Sequence, residues 1–285
     1  MRPRSGRLVS LFIRIRWLLA LVAVAAVAAW WMLEQPRQRG RAIAHVKELG
    51  GVTQLDREFD PMVASRPRRN RLSDWFSQSV GPELAHTVSV VNLDGQPIAD
   101  SDLESVAGLR GLLRLYLNGT PISDSALVHL RRLPELEILE LSETSIGDRG
   151  MTNIVGSPRL HTLILYQTRV SDRGMASVAA LSALEELSLS YTSVGDAGLA
   201  RLVDLTRLKT LRLCGTHITD AGLAHLARIR SLRHLDLSRT DVTDAGLVHL
   251  AQLPQLELLF LGGTNTSRAG RIALMQALPG VRILD

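Results

Sequence analysis

The chain has 285 residues, 46% hydrophobic but only 4% aromatic, with a formal charge of +5. The basicity is local: residues 1–41 hold eight arginines against one acid, which leaves residues 42–285 slightly acidic and a poor match to phosphate backbones, so nucleic acid is not an expected partner. Cys214 is the only cysteine, which excludes an intramolecular disulfide and a cysteine-based structural zinc site.

Residues 1–16 form a basic N-terminus, and residues 17–33 read WLLALVAVAAVAAWWML without a charge. As a helix this run measures about 25 Å, slightly short of a ~30 Å hydrocarbon core. Trp17, Trp30 and Trp31 sit near its ends, where indoles favour the membrane interface. Five arginines precede the run and three follow it. That excess predicts a single-pass signal anchor with residues 1–16 cytoplasmic and the rest extracytoplasmic. Two alternatives stay open: a signal peptide cleaved at AVA, residues 26–28, with a secreted product, and a buried core helix.

Residues 34–87 read as a linker and a small α/β cap. RAIAHVKELGG predicts a short helix ended by Gly50 and Gly51, and VTQL predicts a strand. RPRRNR is a basic loop, solvated or facing lipid headgroups. LSDWFSQSVG predicts a second helix around Trp75 and Phe76.

From residue 88 the chain repeats. LLRLYLNGT at residues 112–120 recurs every 24 residues as LEILELSET, LHTLILYQT, LEELSLSYT, LKTLRLCGT, LRHLDLSRT and LELLFLGGT, with VSVVNLDGQ one step earlier. A last fragment, VRIL at residues 281–284, comes one residue late. Alternation around LxL predicts a short strand, and the apolar spacing of ITDAGLAHLARI predicts a helix. Each unit is therefore strand, turn, helix, and stacking must bury what one unit alone leaves exposed. Thr219 or Asp220 suits the helix N-cap. The threonine column, Thr120 through Thr264, is expected to tie turn backbone to its neighbours.

LxxLxLxxT followed by a helical half resembles the leucine-rich repeat family over residues 88–285. Threonine stands where many members have asparagine or cysteine. The recurrent TDAGL is similar to repeats of internalin-like and F-box-associated proteins, although no F-box-like helical module precedes the array. The resemblance implies an α/β solenoid, a parallel strand–turn–helix horseshoe of about eight repeats, that binds partners on its concave strand face.

Residues alternating with the core leucines point to that face. They do not repeat, and packing does not dictate them. The expected partner-binding set is Tyr116, Glu140, Tyr166, Glu186, Tyr191, Arg212, His234, Asp236 and Arg239, centred on Tyr166, Tyr191 and Arg212. Arg212 and Asp236 are expected to be cross-strand neighbours sharing a local ion pair. Leu258 and Phe260 are open to coverage by the last fragment. A calcium reading of the aspartate column from Asp100 to Asp244 is unnecessary, because helix capping accounts for an acid there. His129, His225 and His249 share a column but find no third zinc ligand. Cys214 and His234 make no catalytic dyad, since the register separates them by roughly 13 Å. No catalytic residue, metal or cofactor is expected.

The expected function is a non-enzymatic, membrane-tethered module that binds a protein, peptide or glycan. An architectural envelope protein and a cytosolic adaptor similar to ubiquitin-ligase substrate-recognition subunits are the alternatives.

Overall fold

The computed structural model describes residues 37–55 and 88–285. The apolar run 17–33, the AVA site, the basic loop and the helix expected around Trp75 and Phe76 lie outside the described residues. Among the described residues, no helix is long and apolar enough to cross a membrane.

Among the described residues, ten strands form one sheet in chain order. β1 (Val52–Leu55) is antiparallel to β2 (Val88–Asn92). The rest run parallel: β3 (Arg114–Tyr116), β4 (Ile138–Glu140), β5 (Thr162–Ile164), β6 (Glu186–Ser188), β7 (Thr210–Arg212), β8 (His234–Asp236), β9 (Leu258–Phe260) and β10 (Arg282–Leu284). Paired residues are one period apart, as Leu115 opposite Leu139 and Leu211 opposite Leu235. The last fragment corrects the expectation of a slipped phase: Arg282 pairs with Leu258 and Ile283 with Leu259. Gly280 occupies the position of Leu256, and Val281, one residue later, supplies the missing burial.

The two leucines of each LxL are buried, and so are the apolar residues of the helical half. They form one core from Ala42 to Val281. Each fully buried leucine contributes about 1.5–3 kcal/mol, so the period of the leucines holds the units in register.

The helical halves vary in length with their caps. α6 (Asp220–Leu226), α7 (Asp244–Leu250) and α8 (Arg268–Ala277) begin at Thr219, Thr243 and Ser267, whose hydroxyls accept from backbone N–H groups. α2 (Leu103–Val106), α3 (Asp148–Met151), α4 (Met175–Val178) and α5 (Asp196–Leu199) have no side-chain cap and stop after four residues. Residues Ala126–Arg132 wind as a 3-10 helix, also uncapped. A hydroxyl cap satisfies one of the orphan N–H groups of the first turn.

Residues 37–48 form α1, the expected cap helix. Gly50, at φ 80°, ends it: the Gly50 N–H reaches Lys47 O and the Gly51 N–H reaches Val46 O. That is the paired bonding of a Schellman stop, which needs a left-handed residue. Ala42, Ile43 and Val46 face the core, and His45 Nε2 lies 3.1 Å from Asp102 Oδ1 of the first unit. α1 and β1 together close the N-terminal end of the array.

The aspartate column works between units. Asp196 accepts from Thr219 N at 2.9 Å and from its hydroxyl at 2.6 Å. Asp220 does the same to Thr243, Asp244 to Ser267, and Asp148 to Ser171. Where the receiving residue is glycine, only the backbone bond forms, as from Asp124 to Gly147 and from Asp172 to Gly195. The cap of each of α6 and α7 is thus threonine, not aspartate, and the aspartate grips the next unit. The glycine of TDAGL makes room for it. A Cβ on Gly150, Gly174, Gly198, Gly222, Gly246 or Gly270 would strike the carboxylate of the preceding unit. The threonine column acts inside its own unit, correcting the expected bond to neighbours: Thr192 Oγ1 donates to Leu189 O at 2.6 Å and Thr240 Oγ1 to Leu237 O at 2.6 Å.

Candidate interaction surface on the open sheet face

Strand residues flanking the buried leucines lie on the open face of the sheet, and most are partly exposed. Tyr116, Glu140, Glu186, Arg212, His234 and Asp236 all stand there, while Tyr166, Tyr191 and Arg239 occupy the turn that follows. Ser188 and Ser190 of the same rows are buried.

That turn sets the geometry. Every unit places one residue there with positive φ: Gly95, Gly119, Gly215 and Gly263, but also Glu143, Gln167, Tyr191 and Arg239. A Cβ in the left-handed region costs roughly 1–2 kcal/mol. Four units carry that strain, where glycine would remove it.

Two of the four meet. Arg239 Nη1 donates to Tyr191 Oη at 3.1 Å, across two units. Gly215, between them, lets this happen: a Cβ there would lie 2.8 Å from the Tyr191 ring. The Tyr166 and Tyr191 rings touch edge to face, with centroids 5.4 Å apart at 73°. Cys214 Sγ lies 3.7 Å from Tyr191 Oη. The hydrogen bond with Cys214, and then the charge the sulfur can carry, push the Tyr191 hydroxyl above its ordinary pKa, so it stays protonated at neutral pH.

Arg212 is separate from this cluster. It is the register neighbour of Asp236, as expected, but its ion pair is with Glu186, Nη1 to Oε1 at 2.5 Å. Its side chain reaches diagonally to the preceding strand, while Asp236 Oδ1 accepts from Ser238 N in its own turn. Glu140 accepts from Asn118 at 2.8 Å. His234 lies 3.3 Å from Thr210 Oγ1 and 3.9 Å from Glu257. The expected set therefore divides into a Tyr166–Tyr191–Arg239 cluster, a Glu186–Arg212 pair, Tyr116 beside Glu140 at the far end, and His234 and Asp236 with separate partners of their own.

A hollow of about 280 Å³ opens on the same face. Leu258 and Phe260 form its apolar wall, with Arg212, His234 and Asp236 around it. The last fragment pairs with β9, yet Leu258 and Phe260 stay partly exposed. Among the described residues, no group of three or more His, Cys, Asp or Glu is placed to hold a metal ion.

Residues 228–251 match the family described as Leucine Rich repeat. No curated protein matches the chain. Among solved structures, the chain is similar to internalin C2 from Listeria monocytogenes str. 4b F2365, at 24% identity and a TM-score of 0.55, over 69% of this chain and 81% of that one. Residues 228–251 are thus similar in sequence to one leucine-rich repeat, and the strand–turn–helix arrangement of that unit continues through the units around it.

Proposed function

We propose that the chain is a non-enzymatic binding module whose open strand face engages a protein partner. One observation supports this most. Tyr191 and Arg239 occupy backbone positions where glycine serves the fold better, and their side chains meet on the open face. Strain kept without benefit to packing is the mark of a functional constraint. Rigid stacking favours binding too, because side chains held by the array lose little entropy on docking.

The proposal includes the tether. Residues 17–33 anchor the chain in a membrane, with residues 1–16 cytoplasmic and the array outside. The apolar run, its flanking tryptophans and the arginine excess ahead of it support that orientation. The test has two arms. Photo-crosslinking from the open face should trap a partner with the wild-type chain, and the Tyr166→Ala, Tyr191→Ala, Arg212→Ala triple variant should lose it at unchanged circular dichroism. Equal trapping by both moves binding off this face. Protease added to intact cells should digest the array, and a protected array overturns the orientation.

A further inference from the structure

We infer that the open face takes an acidic segment of a protein partner, with one carboxylate against Arg239 and Tyr191 and one large apolar side chain in the hollow over Leu258 and Phe260. This rests on the binding role proposed above and names the chemistry of the partner.

The first half of the site consists of donors. Arg239 spends one N–H on Tyr191 Oη and forms no ion pair among the described residues. The remaining N–H groups of the guanidinium are directed at no carboxylate there. Tyr191 Oη accepts from Arg239 and lies 3.7 Å from Cys214 Sγ, so the phenol is held beside the guanidinium. Tyr191 is 40% exposed, enough for a ligand to reach it. A guanidinium beside a phenol hydroxyl offers several parallel donors to a planar carboxylate and repels another cation. Two carboxylates of the same face are engaged elsewhere, Glu186 with Arg212 and Asp236 with Ser238 N.

The second half is the apolar wall. Leu258 and Phe260 remain partly exposed at the edge of a hollow large enough for one side chain. Arg239 is in register with Gly215, and its guanidinium reaches back across Gly215 to Tyr191. The hollow centres on β8, roughly one strand over and four residues back, or about 11–14 Å away. An extended segment covers that in three or four residues. The site thus selects an acidic residue spaced three or four positions from an aromatic or large aliphatic one.

The test uses the full-length chain and synthetic acetylated peptides of Gly-Ser background carrying Glu and Phe three or four positions apart. Fluorescence polarisation should detect binding that weakens about ten-fold when Glu becomes Gln and about ten-fold when Phe becomes Ala. Arg239→Gly should weaken it equally while leaving the fold intact, since glycine already occupies this turn position in four units. Tyr191→Phe keeps the ring and should lose a smaller part. Rising salt should weaken the wild-type complex more than the Arg239→Gly complex. Equal binding of Glu and Gln peptides, equal binding by Arg239→Gly, or no binding of any peptide overturns the inference. If peptides fail while crosslinking still traps a partner that the triple variant loses, the open face binds but its partner has other chemistry.

Discussion

If Asp196 and Gly222 are two halves of one contact between units, their substitutions cannot be additive. Asp196→Ala removes two hydrogen bonds from an ionised acceptor, to Thr219 N and Thr219 Oγ1. A net worth of about 1–1.5 kcal/mol for each of these two part-buried bonds gives an expected loss of about 2–3 kcal/mol in total. Gly222→Ala by itself gains about 1 kcal/mol of helix propensity. Its new methyl, however, lands on Asp196 Oδ1 and displaces the carboxylate from both bonds. The net expectation is a loss of about 1–2 kcal/mol. In the double variant the carboxylate is gone, and the nearest remaining atom to the new methyl is Ile218 Cγ2 at 3.1 Å. The alanine then recovers part of its propensity, and the double variant loses about 2 kcal/mol rather than the roughly 4 kcal/mol that addition requires. Guanidinium unfolding of the four proteins, followed by circular dichroism, measures the coupling. Additivity within about 0.5 kcal/mol would refute the claim that the glycine exists to admit the aspartate.

Arg239→Gly should leave the melting temperature unchanged or raise it, because relief of about 1–2 kcal/mol of left-handed strain offsets the entropy of a new glycine; a clear drop in differential scanning fluorimetry would show that the side chain serves the fold. Thr219→Ala should cost about 1–3 kcal/mol through loss of the α6 cap and of the hydroxyl bond to Asp196, more than the same change at exposed Thr206, as read by chemical denaturation. Asp244 is held below its ordinary pKa by the Ser267 hydroxyl and then by the Ser267 backbone N–H. A depressed folded-state pKa means stability that is present above the unfolded value and lost as pH falls through the folded one, so acid should weaken the α8 end below about pH 4. Asp244→Asn should flatten that limb of the melting curve, and an unchanged slope would contradict it. Cys214→Ala should bring the Tyr191 hydroxyl back toward the ordinary tyrosine pKa, visible as an earlier phenolate absorbance on alkaline titration.

Much of the fold was legible in the chain. The LxL alternation located the strands, and the period placed Leu115, Leu139 and Leu163 on one line through the core. GG at the end of the cap helix marked its stop, because only a residue tolerant of positive φ makes that turn. The turn glycines at Gly95, Gly119, Gly215 and Gly263 fall on the same period, and that signal alone could have marked Tyr191 and Arg239 as strained. Capping is a local rule and predicts the aspartate as a cap for its own helix, whereas the contact it makes spans 23 residues. Pairing rules favour the direct neighbour and predict Asp236 as the partner of Arg212, whereas a long guanidinium reaches the diagonal Glu186 just as well.

The sequence by itself determined the period, the strand and helix halves, the buried leucines and the set of residues free of packing demands. Apolar spacing suffices for that, because each unit has only its own copy to bury against. The tertiary structure alone decided which of the free side chains act together. Tyr191 and Arg239 are 48 residues apart and join only because two turns hold them at left-handed backbone angles on either side of a glycine. Reach, rotamer and the gap left by a missing Cβ are properties of stacked units, and no single repeat contains them.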